Sequence, residues 1–83
     1  MKKEIKNKIA HISEDYIKAT KKRRIYGVTS RELKEYIDSL KDIDLADVTS
    51  FNIGKILSES LKFTCEMKYS SRYGQELNHW KLK

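Results

Sequence analysis

The chain has 83 residues, 36% of them charged and 39% hydrophobic, with one Trp, one Cys and no Pro. That is one small domain, burying only about 60–65% of the surface its unfolded chain exposes, so its core must be compact. No apolar run approaches the roughly 18 residues of a membrane span, the basic N-terminus lacks a leader's apolar stretch, and the lone Cys65 excludes an internal disulfide.

The expected setting is therefore a reducing one, cytosolic or nuclear. The net charge of +6 is unevenly placed. Residues 1–26 carry nine Lys and Arg against three acids, residues 27–61 four against seven, and residues 62–83 five against two. Both ends are basic and the middle is acidic, a balance that favours anionic partners, nucleic acid being the commonest.

Ile5, Ile9, Ile12 and Tyr16, with Ile17 and Ala19 beside them, mark one face of an amphipathic helix over residues 3–20. It runs into Lys21-Lys22-Arg23-Arg24, favourable at a helix C-terminus. Ile25-Tyr26 reads as a short extended piece and Gly27 as a turn. Thr29-Ser30-Arg31-Glu32 fits a reciprocal capping box, with Val28 and Leu33 as a hydrophobic staple. The helix it starts spans 30–41 and buries Leu33, Tyr36, Ile37 and Leu40.

The connector "KDIDLADV" offers Ile43, Leu45 and Val48 to the core and has room for a single helical turn. Thr49 or Ser50 caps a third helix over 50–61, with Ile53, Ile56, Leu57, Ser60 and Leu61 on its inner side. From Phe63 the period changes to two. Phe63, Cys65, Met67 and Tyr69 form the covered face of a strand, and Trp80, Leu82 and Asn78 that of its partner. The two runs make a hairpin over 63–82 with a polar, basic tip at Ser70-Ser71-Arg72-Tyr73-Gly74-Gln75. Trp80 closes the core, Cys65 is a small core residue and His79 faces solvent.

This order resembles a winged helix-turn-helix domain: "VTSRELKEYI" as second helix, "TSFNIGKIL" as third, "KYSSRYGQELNHWKL" as wing and closing strand. The "IGKIL" segment is similar to the third helix of small winged modules in archaeal and viral regulators and replication proteins. The resemblance covers about residues 5–82. It implies an α+β, mainly α fold of three helices and a two-stranded wing, and binding of double-stranded DNA in transcription regulation, DNA replication or mobile-element biology. It also implies pairing of two copies through the first helix. Two features depart from the simplest pattern: a connector longer than about 3–4 residues, and a net acidic helix-turn-helix segment.

A third helix in a major groove would present Ser50, Phe51, Asn52, Lys55, Ser58, Glu59 and Lys62. Asn pairs with adenine, Lys reaches guanine or phosphate, and Phe meets a thymine methyl. The same face is equally an ordinary polar helix surface, or one on which Phe51 anchors a protein partner. Arg72, with Lys68, Ser70 and Ser71, would reach phosphates or a narrow minor groove. Lys21, Lys22, Arg23 and Arg24 would neutralise phosphates without reading sequence, or simply solvate a helix end.

Catalytic chemistry lacks a motif. His11, His79 and Cys65 have no metal-ligand spacing, Gly27, Gly54 and Gly74 are isolated, and the acids near the connector lack a calcium-loop order. No cofactor is expected. The competing expectation is a docking subunit of a replication, transcription or ribosomal assembly, with a protein or RNA on the winged-helix face.

Overall fold

A computed structural model describes residues 2–83. In chain order it contains α1 (Lys3–Thr20), β1 (Val28–Thr29), α2 (Ser30–Ser39), a single 3-10 turn (Ile43–Leu45), α3 (Ser50–Glu59), β2 (Phe63–Ser70) and β3 (Gln75–Leu82). The fold is α+β: three helices and one antiparallel sheet of order β1-β3-β2. β2 and β3 pair from Phe63 with Leu82 to Ser70 with Gln75, while Val28 pairs with Trp80 and Thr29 with His79.

The short strand lies at Val28–Thr29, two residues after the extended piece expected at Ile25-Tyr26, which sits in an exposed turn instead. Gly27 allows this. At φ +97° it turns the chain tightly against β3, and a Cβ there would fall 2.6 Å from the Trp80 carbonyl oxygen.

The core comprises Ile9 and Ile17 of α1, Leu33 and Ile37 of α2, Leu45 and Val48 of the connector, and Ile53, Ile56 and Leu57 of α3. The sheet adds only Val28, Phe63 and Trp80. Trp80 is anchored by its Nε1–H, which donates to Ser30 Oγ at 3.0 Å. Gly54 opposite leaves room for that pair, since a Cβ would sit 3.3 Å from the same oxygen.

Both capped starts form, with one change. Thr49 and Asn52 make the reciprocal box of α3. At α2, Thr29 Oγ1 accepts from the Glu32 amide, but the Glu32 side chain turns away from the cap toward Arg24 and Tyr16.

Several residues expected inside lie outside. Helices α2 and α3 end two residues early, leaving Leu40 and Leu61 exposed, and Ile43 projects from the 3-10 turn. Cys65, Met67, Tyr69 and Asn78 are exposed: the last three belong to the far half of the hairpin, while Cys65, opposite Trp80, opens onto the groove between α3 and the hairpin. His79, expected in solvent, is buried. Its Nδ1 lies 2.8 Å from the Leu77 carbonyl oxygen, so Nδ1 carries the proton.

Candidate nucleic-acid interface

The hairpin has a hollow on each side, and the residues singled out in the sequence divide between them. On one side a groove runs between α3, the start of α2 and the hairpin. Ser50, Phe51, Lys55 and Ser58 of α3 line it, with Arg31 of α2 and Cys65 and Asn78 of the strands. Its lining holds two cations and no carboxylate. The acidity of the central third of the chain is thus displaced from the groove. Asp38 and Asp42 border a separate hollow at the connector with Ile43, where Asp42 pairs with Lys8 of α1. That ion pair holds the Asp42 carboxyl below its ordinary range.

Two residues placed on the reading face do other work. Asn52 Oδ1 accepts from the Thr49 amide at 3.1 Å, so its acceptor is tied into the cap and away from an adenine. Lys62 lies beyond the end of α3 and its Nζ is 3.3 Å from Glu14 of α1. Glu59 is absent from the groove's lining but borders an adjoining shallow hollow with Lys6, Asn52 and Lys55. Arg31 was legible only as part of the α2 start. Nothing in local spacing shows that it would stand beside Lys55.

On the other side, a cleft lies between the 23–27 loop and the hairpin. It brings together Arg23, Arg24, Lys68, Ser71 and Arg72, two patches some 45 residues apart in sequence, and adds Tyr26, Tyr69 and Tyr73. Two of the four cations are committed internally. Arg24 Nε donates to both oxygens of buried Glu32 at 3.0 Å, and the Tyr16 hydroxyl donates to the same carboxylate at 2.5 Å. Burial and that bond push the Tyr16 phenol up to about 12.

Arg72 Nη2 donates to Glu35 of α2 at 2.7 Å, and the Tyr73 hydroxyl donates to the other oxygen of Glu35. The Tyr73 hydroxyl first and the Arg72 guanidinium second hold the Glu35 carboxyl low. Arg31 completes this latch: its guanidinium lies 5.4 Å from the Tyr73 ring centroid. It also lies 2.9 and 3.2 Å from the Gln75 amide oxygen when that oxygen is turned toward it. The hairpin tip is therefore fastened to α2, in place of the free basic tip expected.

The Lys21 to Arg24 run is split by the turn that follows α1. Arg23 and Arg24 enter the cleft, whereas Lys21 faces a third surface with Lys18, Lys81 and Lys83. Lys22 is exposed and lines neither hollow. The expected pairing surface on α1 is largely occupied, since Ile9 and Ile17 are buried and Ile5, Ile12 and Tyr16 pack at the core's edge.

Among the described residues no three His, Cys, Asp or Glu side chains come together to hold a metal ion. No helix among them is long and apolar enough to cross a membrane. Comparison with protein-family models, with curated proteins and with solved structures returned no match.

Proposed function

We propose that this chain is a small winged-helix protein that binds double-stranded DNA in transcription regulation, DNA replication or mobile-element biology. The N-terminal half of α3 would enter the major groove, and Arg31, Lys55 and the hairpin would lie against bases and backbone. The observation that carries this reading is the groove with Arg31 and Lys55 and no carboxylate in its lining, beside the N-terminal residues of a capped helix. Recognition helices read bases from that half. Pairing of two copies through α1 has less support, because the apolar face it needs packs inside the monomer.

Lys55 is the cleanest probe, since it is exposed and its ammonium enters no ion pair among the described residues. Fluorescence anisotropy with 20-base-pair duplexes of mixed sequence, from 50 to 200 mM salt, should show binding that weakens steeply with salt. Lys55→Glu should weaken it about tenfold or more. Unchanged affinity in that variant would sink the major-groove placement.

A second reading has its own observation. Phe51 is 77% exposed at the mouth of the same groove, as a protein-docking anchor would be. In a docking subunit, Phe51→Ala would abolish co-purification with a partner that survives nuclease treatment, and Lys55→Glu would leave it intact.

A further inference from the structure

We infer that the cleft between the 23–27 loop and the hairpin binds an unpaired nucleic-acid strand, with Tyr26 stacking on a base and Arg23 and Lys68 contacting phosphates. This goes beyond duplex binding. It concerns a different face of the hairpin and stands or falls without the duplex reading.

The five tyrosines separate into two groups. Tyr16 and Tyr73 have their hydroxyls bonded to Glu32 and Glu35, and Tyr36 packs its ring on Tyr16 at a centroid distance of 4.5 Å. Tyr26 and Tyr69 have no hydroxyl bond and no aromatic partner among the described residues, and are 60% and 65% exposed. Both residues border the cleft, but alternation along β2 sets the Tyr69 ring on the Cys65 face, opposite Lys68, so Tyr26 is the ring presented to it. The sole contact of this kind made by either ring is cationic, with Lys68 Nζ 5.3 Å from the Tyr26 centroid.

The charge in the cleft suits a polyanion. Its one lining carboxylate, Glu32, is buried and already shared between Arg24 and Tyr16. Arg23 is exposed and enters no ion pair among the described residues. Lys68 has an exposed partner in Glu66 at 3.3 Å, the kind of pair that salt and competing phosphate displace readily.

An exposed ring set among cations distinguishes the ligand. A duplex covers the faces of its bases by stacking, so it offers this ring only edges and backbone. A bare anion or an acidic peptide would engage Arg23 and Lys68 and leave the ring without a base to stack on. An unpaired strand supplies both phosphates and free base faces, the combination that stacking platforms in basic grooves recognise. DNA and RNA share that chemistry.

The test is titration of fluorescein-labelled dT15 and rU15 at 50 mM salt, with an unlabelled blunt duplex and a poly-glutamate peptide as competitors. Saturable binding is expected to at least one oligonucleotide, and their relative affinities identify the preferred strand. Tyr26→Ala should weaken it about 5- to 50-fold, while Tyr26→Phe, and Tyr69→Ala on the opposite face, hold within about twofold. Arg23→Gln should lower the log–log salt slope by about 0.7. Both rings are exposed, so unchanged thermal melting of the alanine variants will confirm that the fold persists. No saturable binding, a Tyr26→Ala variant that binds like wild type, or competition by poly-glutamate equal to that of unlabelled dT15 would overturn the inference. Loss of duplex binding alone would not touch it.

Discussion

Gly27 and Gly74 both hold positive φ, +97° and +67°, but their surroundings differ. Around Gly74 nothing lies within 4 Å of an added Cβ, whereas at Gly27 that atom would meet the Trp80 carbonyl oxygen at 2.6 Å and Lys81 Cγ at 2.9 Å. The first contact is with backbone of β3, the central strand, which cannot yield without disturbing both neighbours. Gly74→Ala therefore carries only the left-handed backbone penalty, about 1 kcal/mol. Gly27→Ala adds a steric overlap to a similar penalty, about 3 kcal/mol or more together. In a domain of this size that is a fall in Tm of roughly 12–24 °C, against about 4–8 °C for Gly74→Ala. Thermal unfolding followed by circular dichroism will compare them, and equal losses would refute the close approach of the 27–28 backbone to β3.

Among the elements, the helices were legible because their periods and caps are local. α1 has the expected bounds, and α2 and α3 start where Thr29 and Thr49 predict. Burial on the hairpin was less legible for a geometric reason. Eight-residue strands reach about 26 Å and ten-residue helices about 15 Å, so the outer half of β2 finds nothing to cover Met67 and Tyr69, while Cys65 in the inner half opens onto the groove. Alternation identifies a strand's two faces and is silent on where the covering layer stops. A two-residue strand such as β1 has no period to detect. The α2 latch on the hairpin was hidden for a third reason: Glu35 and Arg72 meet only through tertiary packing. Because both side chains are about half exposed, the pair adds little stability, about 0–1 kcal/mol. Its consequence is competition, since a phosphate must displace Glu35 to reach Arg72. Glu35→Gln should leave Tm within a few degrees, speed amide exchange at residues 71–74, and raise duplex affinity about two- to fivefold at 50 mM salt. Asp38→Asn removes the same charge from α2 without touching the latch and should raise affinity less. Equal gains would mean that only net charge matters.

At the scale of the whole molecule, the +6 net charge is a poor guide to where anions settle. The domain measures 31 × 24 × 21 Å, several times the screening length of about 8 Å at physiological salt. Each surface is therefore governed by its own nearby side chains. The connector with Asp42, Asp44 and Asp47 can be acidic while the two hollows beside the hairpin stay free of unpaired carboxylates in their linings. The hairpin is one wall of both hollows: Cys65 and Asn78 look into one, Lys68 and His79 into the other. If α3 holds a duplex and the opposite cleft an unpaired strand, DNA that carries both should span the hairpin. The second contact then becomes intramolecular, at an effective concentration in the millimolar range for a short tether. A 15-base-pair duplex with a ten-nucleotide single-stranded tail should bind at least about tenfold tighter than the better of blunt duplex and free dT10. Tyr26→Ala should erase that gain and leave blunt-duplex affinity unchanged, and Lys55→Glu should weaken the blunt duplex while dT10 binds as before. Tails of either polarity need testing, since the hairpin can be rounded from only one strand end. If tailed and blunt duplexes bind alike in both polarities, the two hollows do not act on one DNA molecule.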